Sequence, residues 1–381
     1  MNDLLILGVS TRAAAFSAIR CGMRPRCIDH FADVDLSAVC PVERVDWDRG
    51  VEGLVAAAES LPPSRWFYTG GLENHPELVE RIARRHRLWG VQPEALRMAR
   101  DPVLVHETLA GAGIVVPEVR REPAGLPRDG SWLVKPVASG GGIGVVPLQG
   151  PTGDGGKAVY YQRRIEGPGY SALYIGHRDG ARLVGVVRQW VGGVPGRPFA
   201  YRGGIGPIPV RVAGGPGHRL RALGTRLAAA FELTGWFGVD FILSDGVPWP
   251  VEVNPRYTAS VEIHELATGR PLLPEHRGAC EGMMGPPGAA AGPPPRARIV
   301  GKWIVYAATT LIMPEVEPPR APPAGSEAFV AAADVPAPGL VIGPGEPVLT
   351  LLAADRDARS CRARLRRLRN SWRARLGAGV C

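Results

Sequence analysis

The chain has 381 residues, 45 % of them hydrophobic, and a formal charge of +9, which allows two or three domains and a sizeable core. It contains no run of about 18 apolar residues, which argues against a transmembrane helix, and its start, MNDLLILGVS, lacks the basic region and cleavage site of a secretory leader. Six cysteines without a C-x-x-C pair fit reduced thiols in a cytoplasm and argue against a disulfide framework or a zinc site.

In chain order, residues 4–9 (LLILGV) read as a buried strand. A helix to about Cys21 follows, then a strand ending near Asp29. RWFYTGG is another strand, followed by a helix from Pro76 to about His86. Strands alternating with helices imply a parallel sheet, so residues 1–96 are expected to form a doubly wound α/β domain. Gly8 stands alone where a dinucleotide fingerprint needs three glycines, which speaks against a nicotinamide enzyme. Glu73 and Asn74 end a strand, where α/β domains place ligand contacts; Asn74 also suits a helix cap.

Two short helical stretches are expected between 97 and 118, closed by GAGIVVP. Longer strands with hairpin-like spacing follow: WLVKP, AVYYQ, GYSALYIG and RLVGVVRQWV. The first delivers Lys135 to a loop containing Gly140, Gly141, Gly142 and Gly144. Glycines let backbone N–H groups approach phosphate oxygens, and Lys135 would add a point charge, although such a run also suits a plain flexible loop. Arg202, Gly203 and Gly204 could line an acceptor pocket, with Arg202 gripping a carboxylate, or form an ordinary surface loop. A helix from about His218 to Leu233 is stopped by Gly235.

Residues 238–256 (GVDFILSDGVPWPVEVNPR) are the most informative. Two strands flank Ser244-Asp245-Gly246, the signal of an antiparallel hairpin. Symmetry about Gly246 sets Asp240 opposite Glu252, and Asn254 shares the face of Glu252. Two opposed carboxylates repel unless a hard cation lies between them, and Mg²⁺ accepts such ligands together with substrate phosphates. A pair of solvated acids is the plainer alternative. His264 and Glu265 do not form H-E-x-x-H, so His264 reads as a partly buried structural residue rather than a zinc ligand. Residues 282–298 are a Pro/Gly linker by composition, 299–354 a small strand-rich region in which Lys302 reads as a surface residue, and 355–381 an arginine-rich tail. The tail holds nine arginines and two acids, a balance of +7, so the rest of the chain is nearly neutral. With Trp372 as its one aromatic it lacks the stacking pattern of a nucleic-acid binder and reads as a solvated helix face.

A strand lysine with a glycine-rich loop, then an acid–hairpin–E-x-N-P-R about a hundred residues later, resembles the ATP-grasp superfamily over about residues 97–270, within an expected domain of 97–281. YTGGLENHPEL, RDPVLV, FAYRGGIGPIPV, NPRYTASVE and ADVPAPGLVIGPGEPVLTLLA resemble the predicted carboligases related to biotin carboxylase, which are associated with tetrahydromethanopterin-linked one-carbon metabolism. The resemblance implies a two-lobed ATP-grasp fold after the N-terminal domain. It further implies Mg²⁺, with Mn²⁺ as an alternative, on Asp240, Glu252 and Asn254, and ATP phosphates on Lys135 and the loop Gly140–Gly144. Gln162 and the backbone of Arg163, Arg164 and Ile165 would meet the adenine. Arg256 would stabilise the transferring phosphoryl group. Two departures stand out: the usual aspartate–lysine step reads Asp101-Pro102, and Gly169 replaces the usual ribose-binding acid, for which Glu166 is a substitute. The implied activity is ATP-dependent ligation of a small-molecule carboxylate to an amine through an acyl phosphate, with a bicarbonate-using carboxylase or a non-catalytic ATP-binding module as the alternatives, in a cytoplasmic protein that needs no membrane or nucleic acid and that could be a homo-oligomer.

Overall fold

The computed structural model describes residues 3–47, 50–150, 156, 158–209, 215–283, 298–316 and 328–381. Five parallel strands open the chain, in the order Val42–Arg44, Arg24–Asp29, Asp3–Gly8, Arg65–Tyr68, Arg87–Leu88. Leu4 to Leu7 form an unbroken apolar run because helices cover both faces of a parallel sheet, and all four side chains are buried.

Helices Pro93–Arg100 and Pro102–Ala110 lead into the next unit. Asp101 caps the second by accepting from the N–H groups of Val103 (2.9 Å) and Leu104 (3.1 Å), and Pro102 sits where a missing N–H costs nothing. The Asp101-Pro102 step is thus a helix start, and the Asp101 carboxylate also takes Arg121 at 2.9 Å. A four-stranded antiparallel sheet follows, in the order Val119–Arg120, Val159–Arg163, Asp129–Pro136, Val146–Gln149.

The third layer is an eight-stranded antiparallel sheet. Its order is Val247–Asn254, Gly235–Ser244, Gly169–His177, Gly180–Val191, Tyr201–Gly206, Ile299–Tyr306, Pro347–Asp355, Phe329–Ala333. The strands expected in 299–354 therefore do not stand apart: Ile299–Tyr306 pairs directly with Tyr201–Gly206 and extends the same sheet. Residues 284–297 of the linker lie outside the described residues. The tail is helix Ala358–Leu376, capped by Asp357 through the N–H groups of Arg359 and Ser360. Cys361, Leu365, Trp372 and Leu376 recur on one helical face and are buried in a core with Val305 and Leu351 of the sheet. Each such large apolar side chain contributes roughly 1.5–3 kcal/mol, so this is a docked element rather than a loose tail.

Two expectations about single residues change. Lys302 is buried, not at the surface, and its ammonium is 2.8 Å from Glu262. Glu262 also pairs with buried Arg12, which reaches on to Asp334 at 2.8 Å. Burial opposes the Glu262 charge, yet Arg12 and Lys302 outweigh it and hold this carboxyl well below its usual range. His264 is fully buried, and burial pushes its imidazole down to about 4. Glu265, on the helix Ala259–Thr268, accepts from Ser17 Oγ (2.6 Å) and the N–H of Leu272 (2.7 Å), joining the N-terminal domain to that helix.

Candidate active site

The hairpin reaches its register by an unexpected route. Asp245 and Gly246 both have positive φ (50° and 73°), as a two-residue primed turn requires, and pairing runs from Ser244–Val247 to Phe241–Pro250. A bulge then inserts Val251, after which Asp240 faces Glu252 and Gly238 faces Asn254. The turn is thus one residue out of step with symmetry about Gly246, and the bulge restores it. A bulge also frees a carbonyl from the ladder. That of Val251 accepts from Lys135 Nζ (3.1 Å) and Gln162 Nε2 (3.4 Å), tying the hairpin to the small sheet across the cleft.

Around the carboxylates the hydrogen bonds are directional. Asp240 Oδ1 accepts from Gln189 Nε2 (3.0 Å), and Oδ2 accepts from Asn254 Nδ2 (3.3 Å). Asn254 Oδ1 accepts from Arg256 Nη2 (3.1 Å), while Arg256 Nε donates to Glu73 (2.5 Å). Glu252 Oε1 accepts from Arg100 Nη1 (3.0 Å). Burial first, then the charge of Glu252, push the Asp240 carboxyl up to about 6. Burial acts the same way on Glu252, but Arg100 and Lys135 outweigh it and leave that carboxyl below its usual value. On Lys135 burial opposes the charge, and Tyr160 and Glu252 more than offset it, so the ammonium is retained.

Arg100 is the residue the sequence did not reveal. It ends the helix Pro93–Arg100, lines the pocket adjoining the cleft, and donates to Glu252, to Asn74 Oδ1 (2.9 Å) and to the carbonyl of Ser139 (2.9 Å). One guanidinium therefore joins the N-terminal domain, the root of the glycine loop and the hairpin. It also supplies a second cation beside Lys135, one residue before the step where a lysine was sought. Glu73 and Asn74 serve as partners of Arg256 and Arg100, and neither caps the helix Pro76–Ala83, whose N-cap residue is His75.

The glycine loop is held closely. Gly142 has φ 76°, and a Cβ there would lie 1.8 Å from the carbonyl oxygen of Phe199, so only glycine fits. The N–H of Tyr201 donates to Gly141 O at 2.9 Å, latching the loop onto the large sheet.

These pieces enclose a cleft of about 1660 Å³, open to solvent. Lys135, Gly141, Gly142, Gln162, Arg163, Arg164, Ile165, Glu166, Asp240, Glu252, Asn254 and Arg256 all line it, together with Ser171, Gln189 and Tyr201. Gly140 and Gly144 are loop positions outside that lining. Glu166 is paired with Arg164 at 3.0 Å and is 80 % exposed at the rim. The acceptor-pocket candidates do not reach the cleft. Arg202 is buried away from it, donating to Gly193 O (3.1 Å) and Cys381 Sγ (3.4 Å), because it alternates with Tyr201 across the strand. Gly203 and Gly204 lie against the backbone of Lys302 and Arg188.

A divalent cation suits this donor set. Two carboxylates face each other, burial and the charge of Glu252 push the Asp240 carboxyl up to about 6, and the Asn254 amide oxygen has a second lone pair beside its bond to Arg256. Among the described residues no group of three or more His, Cys, Asp or Glu could hold a metal, so the set is two carboxylates and an amide.

A cleft between two antiparallel sheets, preceded by a parallel α/β domain, defines a class of fold. Residues 99–260 match the family model of the ATP-grasp domain. That stretch is similar to the ATP-grasp domain, and the fold of the whole chain is similar to that of several solved structures. It is similar to biotin carboxylase from Campylobacter jejuni in complex with β-γ-ATP (15 % identity, TM-score 0.70, covering 95 % of this chain and 89 % of that one). It is similar to L-amino acid ligase from Bacillus licheniformis (15 % identity, TM-score 0.68, 97 % of both chains). Rhizobium etli pyruvate carboxylase matches at 14 % identity and TM-score 0.73 over 96 % of this chain, which spans only 37 % of that one. At these identities the likeness is one of fold. No curated protein matches the chain. Among the described residues no helix is long and apolar enough to cross a membrane.

Proposed function

We propose that the protein is an ATP-dependent ligase that joins a small-molecule carboxylate to an amine, with release of ADP and phosphate. The observation that carries this reading is the opposition, across one cleft, of Asp240, Glu252 and Asn254 to Lys135 and the glycine loop, with Arg100 bonded to Glu252 from the adjoining pocket. Carboxylates that would repel face cations that would repel, and a metal–triphosphate complex offsets both. The relatives whose names state an activity, a biotin carboxylase and an amino acid ligase, support it.

In the mechanism, Asp240, Glu252 and Asn254 would hold Mg²⁺, with Mn²⁺ as a substitute. When bound, the ion neutralises phosphate charge and so eases phosphoryl transfer. Lys135 would neutralise remaining phosphate oxygens from the opposite wall, Arg100 would add positive charge from behind Glu252, and Gly141 and Gly142 would close over the phosphates with backbone alone. Gln162 and the strand end Arg163–Ile165 would meet the base. The N–H groups of Arg163 and Arg164 already donate to Glu118 O and Ser131 O, which leaves carbonyl oxygens and Ile165 for it. Arg256, steered by Glu73, stabilises negative charge as the substrate carboxylate oxygen bonds to the γ-phosphorus and the bond to ADP breaks. The amine then attacks the acyl carbon, the carbon–oxygen bond to phosphate breaks and a proton leaves the nitrogen. The tetrahydromethanopterin-linked resemblance makes one-carbon cofactor chemistry the setting in which acid and amine are sought.

The test is product formation from Mg-ATP with pooled small carboxylates and amines, glutamate and a tetrahydromethanopterin-type cofactor included. ADP and phosphate appearing only with both an acid and an amine support the ligase. ADP release that depends on bicarbonate would shift the reading to a carboxylase, which the biotin carboxylase likeness favours as the second choice. AMP and pyrophosphate would overturn the acyl-phosphate route.

A further inference from the structure

On the strand Gly180–Val191, Gln189 faces the cleft and holds Asp240, so Arg188 and Trp190 point to the opposite face of the sheet. There the arginine-rich helix leans over the sheet and leaves a groove of about 620 Å³. Arg188, Arg362, Arg366 and Arg369 line it with Trp190 and Trp303. Among the described residues none of these four guanidiniums pairs with a carboxylate, whereas Arg364 on the same helix takes Asp355. Arg362, Arg366 and Arg369 recur at helical spacing on one stripe, where like charges weaken a helix by roughly 0.2–0.5 kcal/mol per pair.

The floor is aromatic. Trp190 and Trp303 are 5.4 Å apart at 51°, and the guanidiniums of Arg202 (4.9 Å) and Arg369 (5.1 Å) both lie over the Trp303 ring. The indole N–H of Trp303 and the Nε of Arg202 are buried with no hydrogen-bond partner. Burial, then the charges of Arg202, Arg366 and Arg373, push the Arg369 guanidinium below its ordinary value. Positive charge without a carboxylate partner is gathered here, with Arg369 held against Trp303 and Arg362 and Arg366 exposed beside it.

We propose that this groove is a second anion site, distinct from the nucleotide cleft, which binds a small molecule carrying two or more linked phosphoryl groups. Guanidinium forks suit phosphoryl oxygens. Arg362 to Arg369 spans about 10 Å of helix, more than one oxyanion can bridge. The groove is walled by helix on one side and sheet on the other. The two tryptophans are packed on each other rather than spaced as platforms for successive bases, which disfavours a nucleic-acid strand.

The test uses the full chain with its nucleotide cleft filled by Mg²⁺ and a non-hydrolysable ATP analogue, at constant free Mg²⁺ and ionic strength. Tripolyphosphate, pyrophosphate, phosphate and free ATP analogue are titrated by calorimetry. One further site is expected, with tripolyphosphate bound more tightly than pyrophosphate and phosphate weakest. The comparison of tripolyphosphate with excess analogue tells a free phosphate chain from a nucleotide-borne one. R362Q/R366Q, at exposed positions, should weaken that binding at least tenfold, leave affinity at the cleft unchanged, and keep or raise the unfolding midpoint by removing repulsion. R366K, which retains the charge, should lose less. Absence of a further site, or binding unchanged in R362Q/R366Q, overturns the proposal. So does tighter binding of a single-stranded oligonucleotide or of polyglutamate through the same arginines.

Discussion

Replacing Glu252 by Gln keeps the shape of the side chain and removes one of two opposed charges. Glu252 lies against Arg100 at 3.0 Å and shares the neutralisation of Lys135, so its loss leaves two cations facing Asp240 alone. Unit charges about 4 Å apart at an effective dielectric near 20 interact by roughly 4 kcal/mol. At about 1.4 kcal/mol per tenfold, losing one ligand charge should weaken the metal-dependent state by about two to three orders of magnitude. The same change makes the phosphate wall more positive, so metal-free nucleotide should bind as well as in the wild type or better. Glu252 is 24 % exposed, which limits the cost to fold stability to roughly 1–2 kcal/mol. The assay is nucleotide affinity with and without Mg²⁺, together with ADP release and a urea unfolding curve. Turnover within threefold of wild type would refute the metal assignment. Equal weakening with and without Mg²⁺ would show that Glu252 supports the cleft and not the ion.

Arg100→Met should lower nucleotide affinity and cost about 3 kcal/mol of stability, since it leaves Glu252 without its nearest cation and unties Asn74 and Ser139; titration and denaturant unfolding report both. Gly142→Ala should reduce nucleotide affinity at least tenfold through its clash with Phe199, with a stability loss of about 1–2 kcal/mol set by the left-handed backbone; a variant that binds normally would show the latch to be irrelevant. His276 is buried between Trp236, whose backbone N–H donates to Nδ1 at 2.9 Å, and Trp89 O, and burial pushes its imidazole down to about 3. The unfolded chain binds a proton near pH 6.5 that the folded chain refuses until about 3. Stability from this group is therefore complete above 6.5 and falls by about 1.4 kcal/mol per pH unit below it. His276→Gln should flatten that slope, by about 2 kcal/mol between pH 6.5 and 5 in urea unfolding; an unchanged slope would refute the buried neutral state.

What could be read from the sequence was local and periodic. The apolar run Leu4–Leu7, the alternation around Asp240, Glu252 and Asn254, and the lysine beside a glycine run each declare themselves within a dozen residues. What escaped depends on partners far apart in the chain. Arg100 looks like any helical arginine until the fold brings Glu252, Asn74 and Ser139 around it. Lys302 looks like a surface residue because Glu262 and Arg12, which make its burial tolerable, are distant in sequence. Arg202 and Tyr201 are neighbours, yet strand alternation sends one to the aromatic groove and the other to the cleft, and the sequence does not mark which face is which.

The bulge is the exception, since its signal was present. Pro248 and Pro250 lack the N–H that a central strand needs, so their strand had to lie at a sheet edge or carry an irregularity, and Val247–Asn254 does both. That irregularity turns the Val251 carbonyl toward Lys135 and Gln162 and brings Glu252 opposite Asp240. A regular ladder through the same two-residue turn would have set Asp240 opposite Val251 and turned Glu252 to the other face. The position of the second carboxylate therefore rests on one extra residue beside a proline. Changing Pro250 to an N–H donor such as Val should let the register relax and weaken metal-dependent nucleotide binding without touching a ligand. Binding of Mg-nucleotide at wild-type affinity in Pro250→Val would show that the bulge is held by the Lys135 and Gln162 bonds instead.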